Sequence, residues 1–221
     1  MQRPPTGPLH PTKIKFRKDG RVELTFDFSR HNPDHSGIFQ PRVREKSKYP
    51  FRWSLHGHWE WSGLRVGDSG LAVLNCWFED DVEAEISYRH QSESSKRQPV
   101  ALVYVNKKKD AIGTNFGTEC VVFRGGRTVK KNGEYRHIEY YGRSREDIKL
   151  RVKDGTFEGH FRGRKKADMG YSEKKFKSGK IGFLWAGKVA GTISRLTITG
   201  KVDAKAMAKV LRSNRNRKRK K

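Results

Sequence analysis

Hydrophobic and polar residues alternate along most of this chain, a pattern with a period of two that predicts β-strands. The stretch "KIKFRKDGRVELTFDFS" (13–29) contains two such runs on either side of Gly20. A three-residue loop that ends with Gly20 in the left-handed conformation places Phe16 opposite Val22 and gathers the apolar side chains on one face. We therefore predict a β-hairpin here.

A second hairpin is predicted in "IKLRVKDGTFEGHF" (148–161). Its turn is the pair Asp154-Gly155, a dipeptide that favours the tight two-residue turns of antiparallel strands. This turn places Val152 opposite Phe157, so the apolar residues of both strands share a face.

Further alternating or apolar runs predict more strands, and polar stretches rich in Pro, Asn, Ser or Lys separate them as loops, among them 30–50, 91–99 and 162–177. The additional strands are predicted near 51–55, 58–61, 71–78, 81–90, 100–106, 118–125, 178–187 and 191–203.

Helical periodicity occurs only near the C-terminus. Ala204, Met207, Ala208 and Leu211 repeat at the spacing of one helix face, and Asp203 stands at the N-cap position. Many strands with almost no helix predict an all-β fold, an antiparallel two-sheet β-sandwich of the jelly-roll type. The expected domains are a disordered N-terminal segment (1–12), a single β-sandwich domain (13–203), and a short helix with a basic tail (204–221).

The net charge of the chain is strongly positive, and this indicates a class of partner that the pattern of strands does not. The formal charge is +25, and without the seven Lys and Arg residues of 212–221 it is still +18. A body this basic attracts polyanions, which can be nucleic acid, sulfated or acidic polysaccharide, or an anionic lipid surface, and charge alone does not choose among them.

The remaining composition is that of a plain soluble protein. No run approaches the roughly 18 apolar residues of a membrane span, and no signal peptide is visible, which predicts a cytoplasmic protein without membrane insertion. Cys76 and Cys120 are predicted to be buried free thiols, with a single disulfide as the alternative.

The stretch "FEDDVEAEIS" (78–87) places Asp81, Glu83 and Glu85 on one face of a strand. Such a row can supply the two carboxylates of a retaining glycosidase. It can equally be the solvent-facing side of a sheet, where basic residues of a neighbouring strand pair with it. We favour the second interpretation, with these partners: Lys149, Arg151 and Lys153.

Aromatic and histidine residues in 53–61 raise two further possibilities. Trp53, Trp59 and Trp61 share one strand face by parity, which suits a platform for sugar rings or nucleobases, although core packing is the alternative. His56 and His58 have a spacing that can bind a metal, but no third ligand is evident nearby. We predict no metal there. The sequence also lacks P-loop, Rossmann, HExxH and GxSxG motifs, so no cofactor is predicted.

Basic residues form several clusters that can combine into one electropositive face. The body clusters are 107–109, 127–137, Arg162, Arg164, Lys165, Lys166, Lys174, Lys175 and Lys177. The C-terminal tail either binds a polyanion or only adds solubility. Its candidate residues are Arg215, Arg217, Lys218, Arg219, Lys220 and Lys221.

The last third of the chain resembles the closing strands of concanavalin A-like lectin/glucanase sandwiches, nearest to the DUF1080, or 3-keto-disaccharide hydrolase-like, domains. The matching positions are Ile148, Leu150, Val152, Asp154, Gly155, Ser178, Gly179, Ile181, Gly182, Phe183, Leu196, Ile198 and Gly200. These motifs are structural, and the resemblance implies a hydrolase acting on glycosides or oxidised disaccharides.

Taken together, these observations favour a non-catalytic binding module of concanavalin A-like type. Its ligand is expected to be a carbohydrate or another polyanion, drawn by the basic surface and held by aromatics on a concave sheet. The alternatives are a glycoside or 3-keto-disaccharide hydrolase and a nucleic-acid-associated basic protein.

Overall fold

A computed structural model describes residues 11–27, 53–56, 59–60, 65–66, 70–74, 76–90, 100–108, 110–115, 117–124, 127–133, 145–185 and 191–208. Nearly all regular structure in these residues is β-strand, with two short helices. The elements are β1 (Lys13–Phe16), β2 (Val22–Asp27), β3 (Trp53–His56), β4 (Trp59–Glu60), β5 (Arg65–Val66), β6 (Gly70–Leu74), β7 (Phe78–His90), β8 (Val100–Val105), β9 (Ala111–Asn115), β10 (Glu119–Arg124), β11 (Arg127–Gly133), β12 (Arg145–Lys153), β13 (Thr156–Phe161), β14 (Arg164–Gly170), α1 (Glu173–Phe176), β15 (Ser178–Trp185), β16 (Gly191–Val202) and α2 (204–208).

Apart from β4 and β5, which pair with each other in a separate two-stranded sheet, the described strands form two antiparallel sheets. The first sheet has the order β1-β2-β16-β7-β12-β13-β14. The second sheet has the order β3-β6-β15-β8-β9-β10-β11. They are joined where Ser178 and Gly179, at the start of β15, pair with Glu79 and Phe78 of β7. The predicted two-sheet β-sandwich with a short C-terminal helix is confirmed.

The main core lies between the two sheets. Strand β7 contributes Val82, Ala84 and Ile86, all essentially inaccessible to solvent, while the residues between them face outward. At one end of the core the hydroxyl of buried Tyr104 donates a hydrogen bond to the Phe78 carbonyl oxygen (2.9 Å). This bond gives the one polar atom of the ring a partner, as burial of a tyrosine requires.

The second sheet also has an apolar outer face. Val103 and Val121 point away from the main core, yet their exposed fractions are 0% and 1%. Strand β8 is therefore buried on both faces, which explains its continuously hydrophobic sequence "VALVYV". Because these side chains are covered, this face does not present an open sheet surface to a ligand.

The first predicted hairpin has the predicted register: Phe16 pairs with Val22, and Gly20 has a φ of +79°. Its strand β1 lies at the edge of the first sheet, however. Ile14 and Phe16 therefore remain 44% and 82% exposed, although they share a face with buried residues of β2.

The second predicted hairpin also has the predicted register. Val152 pairs with Phe157. Asp154 and Gly155 both adopt positive φ, +48° and +73°, as a type I′ turn requires.

The prediction of a loop over 162–177 is wrong. This segment contains the edge strand β14 and the single-turn helix α1. Only Ala167 and Met169 of β14 are buried, so the strand has too few apolar positions for a visible alternation. Strands β9 and β11 were also missed. The long loop predicted over 30–50 lies outside the described residues.

The predicted N-cap of the C-terminal helix is confirmed. Asp203 Oδ1 accepts a hydrogen bond from the Ala206 N–H (2.9 Å), and Met207 N–H donates to the Asp203 carbonyl oxygen (2.9 Å). Leu211 lies outside the described residues.

Both cysteines are free and buried, as predicted. Burial raises the pKa of the Cys76 and Cys120 thiols to about 12, so neither forms a thiolate near neutral pH. In the part of the chain described, no helix has the length and hydrophobicity to cross a bilayer.

Candidate functional site

The acidic row of β7 lies on the outer face of the first sheet and forms ion pairs with neighbouring strands. Lys149 Nζ is 3.1 Å from Glu85 Oε2, and Arg151 Nε is 3.4 Å from Glu83 Oε1. The predicted pairing of the acidic row with these two residues of β12 is therefore confirmed.

The third predicted partner pairs elsewhere. Lys153 Nζ lies 3.8 Å from Asp154 Oδ2, and the ion partner of Asp81 is Arg21, with 3.5 Å between Oδ1 and Nη2. Lys153 follows the last paired residue of β12 on β7, so the strand ladder does not hold it opposite the row. Each acid of the row nonetheless has a cationic neighbour, and the row's use in catalysis stays a prediction.

Trp53 and Trp59 do not lie on one strand. Trp53 is in β3, opposite Leu74, whereas Trp59 is in β4, which pairs only with β5 in a separate two-stranded sheet. Trp61 and His58 lie outside the described residues, and His56 ends β3. Trp53 and Trp59 thus lie in different sheets, and the use of these tryptophans as a ligand platform stays a prediction.

A large cleft opens at the end of the sandwich where the two sheets are joined. It encloses about 1080 Å³ and is walled by the start of β7, the β8–β9 turn, α1 and the start of α2. Its wall contains these six lysines: Lys107, Lys108, Lys174, Lys175, Lys177 and Lys205. Its acidic residues are Glu79, Asp80 and Asp203. We call this feature the lysine cleft.

The β8–β9 turn is held in place by Asn106, which is 5% exposed. Its Oδ1 accepts hydrogen bonds from the N–H groups of Lys108 (2.9 Å) and Asp110 (3.0 Å). Asparagine favours turns because its side chain satisfies nearby backbone donors in this way. Lys107 and Lys108 are consequently presented to solvent from an ordered turn.

Asp110 connects this turn to α1. Its carboxylate lies 2.7 Å from Lys175 Nζ, and Asn106 Nδ2 donates to the Lys175 carbonyl oxygen (3.3 Å). The hydrogen bond from Lys175 is the main reason that the pKa of Asp110 is lowered, and Arg124 also contributes. The two walls that carry most of the lysines are thus tied by one ion pair.

This ion pair predicts acid sensitivity. A carboxyl whose pKa is lowered in the folded state stabilises the protein above its unfolded pKa, and that contribution disappears as the pH falls through the folded value. For Asp110 the loss begins below its ordinary pKa of 3.8. We expect the difference in unfolding free energy between the wild type and Asp110→Asn to be constant above about pH 5 and to shrink below pH 3.8. Urea unfolding from pH 2.5 to 7 measures it, and a difference independent of pH contradicts the assignment.

Helix α2 forms the remaining wall. Asp203 begins it, and although burial raises the pKa of this carboxyl, the hydrogen bond from Ala206 N–H and other contacts outweigh burial and leave the pKa lowered. The neighbouring Trp77 ring has Lys107 Nζ at 5.7 Å and Lys180 Nζ at 4.8 Å from its centroid. Both distances are within the range of a cation–π contact.

The charge of the lysine cleft is only partly neutralised by the protein itself. Of its six lysines, Lys175 alone forms an ion pair among the described residues. The exposed members therefore offer ammonium groups to a ligand, and they are Lys107, Lys108, Lys174, Lys177 and Lys205.

The single electropositive face predicted from sequence is divided in the structure. Lys174 and Lys177 join Lys107 and Lys108 in the cleft. Glu173 of α1, beside the cleft, packs against the turn at Gly155. Arg162 lies in the β13–β14 turn, and the six residues of β13 separate that turn from the one at Gly155. That strand length corresponds to about 20 Å. The predicted tail residues lie outside the described part of the chain.

Sequence reasoning did not single out Asn106, Asp110 or Lys205. The first two carried a local signal, because Asn and Asp on either side of a lysine run are typical of a turn. Lys205 carried none, since nothing local indicates that α2 packs beside the β8–β9 turn.

Comparisons with known proteins give general similarities of shape. No protein-family model matches the sequence, and no curated protein matches it. The structure is similar to the carbohydrate binding module CBM66 from Bacillus subtilis (13% identity, TM-score 0.45, 68% of this chain and 92% of that one). It is also similar to the metal-free VIP36 exoplasmic/lumenal domain (10%, 0.48, 85% and 93%) and to Caenorhabditis elegans galectin LEC-6 (8%, 0.41, 66% and 94%). With TM-scores below 0.5, these likenesses carry no conclusion about what this chain binds.

Proposed function

We propose that this protein is a non-catalytic binding module that holds a polyanion, an acidic carbohydrate first among them, in the lysine cleft. The observation that carries the proposal is the convergence of five exposed lysines without an ion pair in the described part of the chain. Such a group of like charges raises the local concentration of an anionic partner and strengthens its binding.

The two sheet faces are poorer candidates for the site. On the outer face of the first sheet, acidic and basic side chains pair with one another across β7, β12 and β13. The outer face of the second sheet is apolar and covered. The cleft, by contrast, is a concave described surface on which several lysines without an ion pair converge.

We also propose a distant relationship to the DUF1080 branch of concanavalin A-like sandwiches. The motif residues have structural tasks here: Asp154-Gly155 forms a hairpin turn, and Gly179 lies against the Tyr104 ring, which is 2.6 Å from where a Cβ would stand. These structural roles support an architecture shared with DUF1080 domains, and they carry no argument for hydrolase activity. A nucleic-acid ligand remains an outcome that the binding experiment below distinguishes.

The C-terminal tail is proposed to extend the same site. It adds seven positive charges in residues 212–221 and follows α2, a wall of the cleft, by only a few residues in sequence. For single-stranded DNA, the logarithm of the binding constant falls with the logarithm of salt concentration by about 0.7 for each charge neutralised.

Deleting 212–221 is therefore expected to reduce this slope by about 1 to 5, the upper limit corresponding to engagement of all the deleted charges. Titrations with heparin and with single-stranded DNA at several salt concentrations measure the slope. An unchanged slope means that the tail only adds solubility. If the full chain binds neither heparin nor single-stranded DNA above background, the proposed function is refuted.

A further inference from the structure

The lysine cleft also contains acids that its lysines do not neutralise. Glu79 and Asp80 line it, Glu79 is exposed and Asp80 partly exposed. Within the described residues neither carboxylate forms an ion pair, although both line the same cleft as six lysines. Carboxylates in an otherwise cationic site oppose a purely anionic ligand, so their position needs a chemical reason.

A β-bulge brings these acids to the cleft. Val82 pairs with Gly200 and Phe78 with Val202, so β7 has three intervening residues where β16 has one. The three residues of β7 opposite Lys201 are 79–81, and all of them are acidic. A bulge redirects side chains away from the regular alternation of the strand. Strand β7 thus departs from its regular pairing with β16 at the point where it meets the cleft.

The two kinds of side chain require different partners. An ammonium group only donates hydrogen bonds, and an ionised carboxylate only accepts them. A ligand that satisfies both must carry anionic groups and hydrogen-bond donors, such as hydroxyl groups, on the same chain. Anionic polysaccharides carry both, whereas inorganic polyphosphate has no hydroxyl donors along its chain.

Stacking contributes little to this site. The cleft wall contains no aromatic residue in the part of the chain that the structure describes. The nearby Trp77 ring is in contact with Lys107 and Lys180. Sites for single-stranded nucleic acid normally stack bases on aromatic side chains, so this wall favours a ligand that is recognised by charge and hydroxyl groups.

We infer that the lysine cleft selects an anionic polysaccharide, with the lysines binding its sulfate or carboxylate groups and Glu79 and Asp80 accepting hydrogen bonds from its hydroxyls. This inference rests on the proposed function and specifies its ligand. It assigns the bulge of β7 a role in ligand discrimination.

The test compares heparin with inorganic polyphosphate of equal total charge, using the full chain and the double variant Glu79→Gln/Asp80→Asn. Removing two negative charges relieves repulsion for both ligands alike. Only heparin loses charge-assisted hydrogen bonds, which are about twice as strong as neutral ones. We therefore expect the ratio of heparin affinity to polyphosphate affinity to fall about 5- to 10-fold.

The outcomes separate the two proposals. If the ratio is unchanged or rises while Lys108→Gln/Lys174→Gln weakens both ligands, the cleft binds by charge alone and the inference is overturned. If the lysine variant weakens neither ligand, the proposed function itself fails. The melting temperature of each variant confirms that the fold is retained, and Glu83→Gln, outside the cleft, is expected to leave the ratio unchanged.

Discussion

Reversing two charges in the lysine cleft, by Lys108→Glu together with Lys174→Glu, is expected to lower heparin affinity about 100-fold. The substitution changes the charge by four units where the ligand binds. A unit-charge contact in a water-like dielectric is worth about 1 kcal/mol at 4 Å, and salt screening reduces the total to about 3 kcal/mol. Isothermal titration calorimetry or fluorescence anisotropy at a fixed salt concentration measures the change.

The matched control is Lys130→Glu with Lys166→Glu, which changes the net charge by the same amount. Both lysines are exposed, on β11 and β14, and neither lines the cleft. If binding depends on the site, the control loses less than about fivefold, an effect of long-range charge alone. Equal losses in the two variants would show that the whole basic surface attracts the ligand and that the cleft has no special role.

The second large effect concerns stability and occurs at Gly117, in the β9–β10 turn. This residue has a φ of +72°, and a Cβ built on it would lie 2.0 Å from the His160 carbonyl oxygen of β13. His160 is paired with a strand on each side, and the short turn that contains Gly117 is closed by the Asn115–Glu119 pair, so neither backbone can move far without disturbing a ladder. Gly159 of β13 also makes a close approach to the second sheet, since a Cβ built on it would lie 2.4 Å from Thr114 Oγ1 of β9.

Gly117→Ala is therefore expected to lower the free energy of unfolding by about 2 to 5 kcal/mol, from a left-handed conformation that costs about 1–2 kcal/mol and a steric displacement that costs about 1–3 kcal/mol. Gly163→Ala is the matched control, because Gly163 has a φ of +73° with nothing within 4 Å of its Cβ position. We expect the control to lose only about 1–2 kcal/mol. Urea unfolding measures both, and equal losses would remove the close contact as the cause.

The local register of each hairpin could be predicted because it depends on neighbouring residues. The turns at Gly20 and at Asp154-Gly155 determine which side chains face each other, and each register is as predicted. The start of the C-terminal helix at Asp203 could be predicted for the same reason, because its capping hydrogen bond reaches only to Ala206.

The elements that were missed lacked such a local pattern. Helix α1 has a single turn, too short for a helical repeat. Strand β11 pairs only along one edge and is exposed where its side chains are described. An edge strand with solvent on its faces has no need of alternating apolar residues, so it leaves no periodic signal.

The sequence by itself determined the all-β class, the two hairpins, the capped C-terminal helix and the excess of positive charge, because each follows from residues close together in the chain or from composition. Only the tertiary structure decided which charges meet. The lysines near 107, 175 and 205 converge, and the acids at 79–80 join them, because Ser178 and Gly179 of β15 pair with the start of β7 where the two sheets join. Pairing between strands so distant in sequence depends on how the sheets assemble, and no local pattern of residues specifies it.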